Sequence, residues 1–225
     1  IFFQNKFSPY AEGSCFVKFG NTHVIWTASI EERVPIWLRG KQKGWITAEY
    51  GMIPRATHSR VDRDISKGKI SGRSQEIQRL IGRSLRSAVN LNELGERQIK
   101  IDCDVIQADG GTRTASISGS WIALHDAIKY LMSQGKITQN PIKNQVAAIS
   151  CGIINEEMFI DLDYNEDSNA TVDGNFVLTD NKEIIEIQSS SEQKPISKSN
   201  FLKMYELVEE NIEIIFKKQR DILSL

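Results

Sequence analysis

The residues of this chain best suited to chemistry form the run Asp109-Gly110-Gly111-Thr112-Arg113, between a strand-like and a helix-like stretch. Two glycines let the backbone approach a ligand closely, and the free amides of a helix N-terminus favour an anion. The Arg113 guanidinium can grip a phosphate with two hydrogen bonds. The run lacks the spacing and the lysine of a Walker-type loop, so it favours a bare phosphate or a nucleic-acid backbone over a nucleoside triphosphate. An ordinary Gly-Gly turn is the alternative.

A second candidate group is a series of arginines in and just after the polar stretch 54–72. Arg55, Arg60 and Arg63 lie inside this stretch, and Arg73 follows it. The stretch has no helical or strand period and is expected to be a long loop. Loop arginines without acidic partners at helical spacing are suited to contact nucleic-acid phosphates. The alternative is a set of solvated surface side chains.

The third group is acidic and lies around the end of a predicted strand near residue 160. Its members are Asp161, Asp163, Glu166, Asp167 and Asp173. Carboxylates at a strand end and in the following turn can hold a divalent metal or act as a general acid. Alternation predicts that Asp161 and Asp163 share one face of the strand end. A polar β-turn is the alternative, because Asp and Asn are favoured in turns.

The net charge of −1 conceals an uneven distribution of charge along the chain. Residues 33–100 hold 15 Lys and Arg against 6 Asp and Glu, whereas residues 151–225 hold 7 against 16. A basic half attracts polyanions, and an acidic half can pair with a basic surface of the same or another subunit. Chance clustering of solvated surface charges is the alternative.

Hydrophobic periodicity predicts eight strands and three helices that position these groups. The strands are expected as a hairpin at residues 17–30, then at 45–50, 98–107, 146–153, 158–162, 171–178 and 183–188. The helices are expected at residues 74–89, 114–132 and 201–218. This order indicates a mixed α/β chain without regular βαβ alternation and without a boundary between separate domains.

Bulk composition excludes several classes of protein. With 225 residues and 40% hydrophobic content, the chain can bury a core. It contains no apolar run of the roughly 18 residues that a membrane span needs, and its first residues are too polar for a signal peptide. The three cysteines, Cys15, Cys103 and Cys151, have neither disulfide nor zinc spacing, so we expect a cytoplasmic protein.

Motifs spread over nearly the whole chain resemble the ribonuclease PH family of phosphate-dependent 3′→5′ exoribonucleases and transfer-RNA nucleotidyltransferases. The motifs that carry the resemblance are Ala11-Glu12-Gly13-Ser14, Gly20-Asn21-Thr22, Arg33-Val34-Pro35, Gly44-Trp45-Ile46-Thr47-Ala48-Glu49-Tyr50, Pro54-Arg55-Ala56-Thr57, the stretch from Ser71 to Arg83, the stretch from Ile101 to Thr114, and the stretch from Leu162 to Asp173. The resemblance implies an enzyme that releases nucleoside diphosphates from the 3′ ends of transfer-RNA precursors and ribosomal RNA.

The resemblance also assigns roles to the candidate residues. Arg73 and the run Gly111-Thr112-Arg113 would bind the attacking inorganic phosphate. Asp167 and Asp173 would act at the scissile bond, as the acid or as ligands of Mg²⁺. The arginines at positions 55, 60 and 63 would contact RNA or support ring assembly. A catalytically inactive, RNA-binding ring subunit is the alternative function, and a metal-dependent hydrolytic nuclease is a third.

The fold implied by the resemblance is an α/β (α+β), ribosomal-protein-S5-domain-2-like β-α-β-α fold. Residues 1–225 would form one ribonuclease PH-like domain, and the chain would assemble as a homohexamer, a trimer of dimers. This sequence differs from the family pattern at two places. It begins at Ile1, without the usual Arg-containing segment, so some RNA or subunit contacts are expected to be missing. Gly174 stands where a Met is usual, and we expect it to loosen the strand behind Asp173.

Overall fold

The computed structural model describes residues 1–191 and 195–225, and its first sheet has five strands. The strands are β1 (Phe2–Asn5), β2 (Gly13–Phe19), β3 (Thr22–Glu31), β4 (Trp45–Met52) and β5 (Gln98–Gln107). Their spatial order is β1-β2-β3-β5-β4, and all neighbours are antiparallel except β4 and β5, which run parallel. The carboxyl ends of β4 and β5 therefore lie at one edge of the sheet.

A second, antiparallel sheet follows in the chain. Its strands are β6 (Val146–Ile154), β7 (Glu157–Ile160), β8 (Val172–Thr179) and β9 (Ile184–Ser191), in the order β7-β6-β8-β9. The helices are α1 (Gly72–Ser87), α2 (Thr112–Ser133), α3 (Tyr164–Asn169), α4 (Lys198–Asn211) and α5 (Glu213–Leu223). Two short 3₁₀ helices cover Ile36–Leu38 and Asp64–Lys67. Among the described residues, no helix is both long and apolar enough to cross a bilayer.

The long helix α2 holds the two sheets together because most of its side chains are buried. It packs on β2 and β3 of the first sheet and on β6 of the second. A Cβ atom at Gly119 would lie 2.7 Å from the Trp26 ring and 2.8 Å from Val17, so only glycine lets the helix approach the first sheet this closely. One apolar cluster extends through both sheets and fixes the N-terminus of α2 relative to each.

Most of the predicted elements are confirmed, including the mixed α/β class and the bounds of β5. Two elements were missed. Strand β1 has only four residues, too few to show a period, and α3 has six residues of which none is buried. The helix predicted over residues 201–218 is two helices, separated at the buried residue Ile212.

The prediction that Asp161 and Asp163 share a strand face is wrong. Strand β7 ends at Ile160, and Asp161 follows it with a φ of 58°, in the left-handed region. Asp163 is the N-cap of α3, where its carboxylate accepts from the Glu166 amide at 2.8 Å. Capping of the short helix thus replaces the expected alternation.

Candidate active site

The Gly-Gly run connects the carboxyl end of β5 to α2. Gly111 has a φ of 61°, and a Cβ atom at Gly110 would lie 1.9 Å from the Leu162 carbonyl oxygen, so both positions require glycine. Gly111 is also the N-cap of α2, and no side chain of the described residues caps the helix there. The first amides of a helix that lies between two sheets are therefore available to an anion.

Two arginines flank this helix N-terminus. Arg73, at the start of α1, donates from Nη2 to the Thr112 hydroxyl at 3.5 Å. Arg113 points to the same region from α2 and pairs through Nη2 with Glu76 of α1 at 3.0 Å. The Arg113 Nε is buried and finds no hydrogen-bond partner among the described residues. Two guanidinium groups thus meet beside Thr112, and one of them keeps a free donor.

The second sheet supplies the acidic side of the site. Asp173 lies on β8, and its Oδ1 accepts from the Ser190 hydroxyl of β9 at 2.8 Å. Asp167 lies on α3, whose start is held by the Ser150 hydroxyl, which accepts from the Leu162 amide at 2.9 Å. The Asp167 carboxylate accepts no hydrogen bond from a described residue, so it is free to act on a ligand.

The phosphate-binding and catalytic residues predicted from the sequence all line one cavity of about 370 Å³. The predicted members are Arg73, Gly111, Thr112, Arg113, Asp167 and Asp173. The cavity places cationic groups and helix amides from the first half of the chain opposite carboxylates from the second half. Such a cavity can bind an anion beside two groups that exchange protons or hold a cation.

Four polar side chains that line the cavity were not among the site residues predicted from the sequence. They are Ser150, Ser168, Asn175 and Ser190. Ser150 and Asn175 are paired in register on β6 and β8. A signal was present only for Ser150, a buried polar residue inside the otherwise apolar strand β6, since such residues are usually buried only with partners.

The pKa of Asp167 is raised above its ordinary value. Desolvation by the surrounding protein is the main cause, although the side chain remains open to the cavity, and the charge of Asp173 adds to it. Arg73 and Arg113 oppose the shift. The protonated form of Asp167 therefore persists to higher pH than that of a free aspartate.

Asp109 ties together the segments that form the cavity. Its Oδ1 accepts from the Tyr164 amide in α3 at 3.1 Å, and its Oδ2 accepts from Asn21 in the β2–β3 turn at 3.2 Å. Its own amide donates to the Thr22 hydroxyl at 3.0 Å. One carboxylate thus sets the distance between the helix that carries Asp167 and the loop that carries Gly111.

Replacing Asp109 with alanine is expected to lower kcat about ten- to hundredfold, because displacements near 1 Å at a reacting centre have effects of this size. The free energy of unfolding should fall by only about 0.5–1.5 kcal/mol for each lost hydrogen bond, since both donors are exposed and water can replace the carboxylate. Steady-state kinetics and urea unfolding measure the two effects. Asp109→Asn is the matched control, since it retains an acceptor for the Tyr164 amide. An unchanged kcat in Asp109→Ala would contradict the positioning role.

The loop arginines lie outside this cavity. Arg55 lines a separate cavity with His58, and Arg63 lines a third one beside the 61–71 loop. Arg60 pairs with Asp62 at 2.6 Å, two residues away and so not at the helical spacing to which the expectation referred. A comparison of positions three or four residues apart does not detect a partner at this spacing. Their predicted role in RNA contact or assembly stays a prediction.

Gly174 does not loosen β8, contrary to the expectation from sequence. It pairs in register with Cys151 on one side and Ser189 on the other. A Cβ atom there would lie 2.9 Å from the Phe176 ring, so this ring covers the position where a longer side chain would lie. The backbone behind Asp173 is therefore held on both sides.

The fold and the site define a class of protein. The family model described as the 3′ exoribonuclease family, domain 1, matches residues 1–129, and the model for domain 2 of that family matches residues 144–210. The chain belongs to the 3′ exoribonuclease family. The models divide it into two parts, whereas one apolar cluster spans both, so the single-domain organisation of residues 1–225 stays a prediction.

Curated relatives define the branch of the family. The chain is 59% identical to ribonuclease PH of Maricaulis maris over 91% of this chain and 86% of the relative. It is 55% identical to ribonuclease PH of Methylorubrum populi, over 98% and 93% of the two chains, and 56% identical to that of Caulobacter vibrioides, over 94% and 89%. The resemblance seen in the sequence is confirmed, and with it the expectation of an exoribonuclease.

Solved structures support the fold. Rice Rrp46 superposes with a TM-score of 0.77 at 18% identity, over 97% of this chain and 91% of that chain. A subunit of the Archaeoglobus fulgidus exosome with RNA bound to the active site gives a TM-score of 0.79 at 17% identity. The superposition covers 96% of this chain and 86% of that chain. At this identity the likeness concerns the fold alone.

Proposed function

We propose that this chain is a phosphate-dependent 3′→5′ exoribonuclease that shortens the 3′ ends of transfer-RNA precursors and releases nucleoside diphosphates. The observation that carries the proposal is the single cavity in which Arg73, Arg113 and the start of α2 face Asp167 and Asp173. The family membership and the ribonuclease PH relatives support the same reaction.

Inorganic phosphate, the co-substrate, binds between Arg73 and Arg113, with the Gly111 and Thr112 amides completing the site. Arg113 can turn its donors from Glu76 to the phosphate, since the pair is partly open to solvent. Positive groups aimed at the transferring phosphoryl group stabilise the charge that spreads over its oxygens, which is the main source of acceleration in such reactions.

One oxygen of the bound phosphate attacks the last phosphodiester of the RNA in line. The new bond joins the attacking oxygen to that phosphorus, and the bond from phosphorus to the 3′ oxygen of the preceding nucleotide breaks. This 3′ oxygen takes a proton from Asp167, whose raised pKa suits it as the acid. The products are a nucleoside diphosphate and an RNA with a new 3′ hydroxyl. Because an ester is exchanged for an anhydride, the reverse nucleotidyl transfer is also accessible.

As an alternative to the acid role of Asp167, the ionised carboxylates of Asp167 and Asp173 are the residues that would hold Mg²⁺. No cluster of three or more His, Cys, Asp or Glu suited to a metal occurs among the described residues. Two carboxylates fit Mg²⁺ nevertheless, since this ion is commonly bound by one or two carboxylates together with substrate phosphates and water. When bound, the ion would neutralise charge on the transferring group.

The assembly and location follow the family. We propose a homohexamer built as a trimer of dimers, with Arg55, Arg60 and Arg63 on the surfaces that contact RNA or a neighbouring subunit. The three free cysteines, Cys15, Cys103 and Cys151, are buried thiols, which suits a reducing, cytoplasmic location.

Product analysis tests the proposal. A 3′-labelled transfer-RNA precursor incubated with inorganic phosphate should yield labelled nucleoside diphosphate, and without phosphate the RNA should stay intact. Release of nucleoside monophosphate that is independent of phosphate would instead identify a hydrolytic nuclease. RNA binding without any release would identify an inactive ring subunit. Incubation of the shortened RNA with excess nucleoside diphosphate should lengthen it again.

A further inference from the structure

An exposed aromatic surface lies at the end of α1 far from the candidate active site. Trp37 and Ile36, in the 3₁₀ helix of the loop 33–43, are 55% and 78% exposed. The loop carries four basic residues and no acidic one. Among the described residues, no carboxylate forms an ion pair with the three basic residues Arg39, Lys41 and Lys43. An exposed indole in a basic loop is suited to bind a nucleic-acid base.

The Trp37 ring is held in place although half of it is exposed. It meets the Trp45 ring edge to face, with 4.8 Å between the ring centroids and an interplanar angle of 84°. The Arg86 guanidinium lies 4.3 Å from the centre of the Trp45 ring and donates to the Ile46 carbonyl at 2.8 Å. A base that stacks on Trp37 therefore orders little additional structure, which favours binding.

A basic stripe on α1 connects this surface to the candidate active site. Arg79 and Arg83 are exposed on the helix between Arg73 and Arg86 and line a groove of about 340 Å³ between α1 and β9. Arg83 pairs with Glu186 at 2.6 Å, whereas Arg79 forms no ion pair with a described residue. At 1.5 Å per residue, Arg86 lies about 20 Å along the helix from Arg73.

The nearby acidic residues are few and mostly engaged. Glu31 pairs with Arg33 and Lys100, and Glu32 pairs with Arg97 and Lys136. Glu96 accepts from the Gln42 amide at 3.0 Å and braces the loop. The surface that remains around Trp37 is therefore aromatic and basic, the combination that binds single-stranded nucleic acid without regard to sequence.

We infer that Trp37, supported by Trp45 and Arg86, is a stacking site for a base of single-stranded RNA upstream of the 3′ end that the active site holds. The inference rests on the proposed exoribonuclease function. A strand stacked at about 3.4 Å per nucleotide needs roughly six nucleotides to span the 20 Å along α1, with Arg79 and Arg83 beside its phosphates. Substrates shorter than this span cannot reach Trp37.

The test compares Trp37→Ala on oligoribonucleotides of 4 and 16 nucleotides with the same 3′ sequence. On the 16-mer, kcat/KM should fall about tenfold, the size that loss of one base–aromatic stack produces. On the 4-mer it should not change. Trp37→Phe keeps an aromatic ring, so its kcat/KM on the 16-mer should fall less than that of Trp37→Ala. Tyr10→Ala, which removes an aromatic side chain that is 96% exposed elsewhere, is the matched control and should leave both substrates unaffected.

If Trp37→Ala lowers kcat/KM equally on both oligonucleotides, or does not lower it on the 16-mer, the inference is overturned. Light scattering of the protein without RNA provides a further check. A lower molar mass for Trp37→Ala than for the unsubstituted protein would show that the surface joins copies of this chain. This result would also overturn the inference. If the unsubstituted protein releases no nucleoside diphosphate from either oligonucleotide, the proposed function fails instead. Fluorescence anisotropy of the labelled 16-mer then still tests the surface, because Trp37→Ala should weaken its binding about tenfold.

Discussion

Arg113→Ala is expected to lower kcat/KM for inorganic phosphate by about 10²–10³-fold, the effect of removing one preorganised donor from a charged transition state. The guanidinium lies at the start of α2, with a buried Nε that has no partner among the described residues. Its loss removes both a positive charge and a directed donor from the phosphate site. Phosphorolysis of a labelled oligoribonucleotide at several phosphate concentrations measures the effect.

Two controls separate the phosphate site from general damage. Arg113→Lys keeps the charge without the planar fork and should recover only part of the activity. Glu76→Gln removes the carboxylate that holds Arg113 at 3.0 Å and should lower KM for phosphate, because the guanidinium loses its competing partner. Binding of RNA by Arg113→Ala should remain close to that of the unsubstituted protein. Phosphorolysis retained in full by Arg113→Ala would show that the anion binds elsewhere.

Asp167→Asn is expected to reduce kcat by about 10²–10⁴-fold while KM for phosphate changes little, the range that general acid catalysis contributes. Asn is close in shape and can still accept hydrogen bonds, so α3 and its capping box should remain folded. Single-turnover kinetics measure the chemical step directly. Ser168→Ala changes a neighbouring side chain of the same cavity and is the control. A kcat near that of the unsubstituted protein would remove Asp167 from the reaction.

The pH profile tests the role of Asp167 in the same experiment. Burial and the charge of Asp173 raise the pKa of Asp167, so its protonated form is present at low pH and is lost as the pH rises through that pKa. A general acid must be protonated, and kcat should therefore fall with rising pH along this limb. The limb should be missing in Asp167→Asn. A limb that rises with pH over the same interval would assign Asp167 to metal binding instead.

The sequence predicts the part of the cationic half at the start of α2 well because that part is local. Gly110, Gly111 and Arg113 stand within four consecutive residues, between an alternating strand and a largely apolar helix. The glycine requirement at Gly110 is nevertheless not a local property. It arises because the Leu162 carbonyl, 52 residues away in sequence, lies where a Cβ atom would be.

The acidic half could not be placed from the sequence because it depends on a short helix and on contacts between distant strands. Asp163 was predicted beside the other acids, whereas it caps α3. Ser190 follows Asp173 by 17 residues and reaches it only because β8 and β9 pair in register. Composition and spacing identify the acidic and polar residues of this half of the site. Which of these side chains contact one another is decided by the pairing of the strands.

The location of a bound phosphate analogue would show whether the anion site lies between the two arginines at the start of α2. Crystals of the protein soaked in arsenate, measured at the arsenic absorption edge, would show the anion by its anomalous signal. We expect one peak between the Arg73 and Arg113 guanidinium groups, within hydrogen-bond distance of the Thr112 amide. A cavity without a peak, with both arginines turned to solvent, would contradict this expectation.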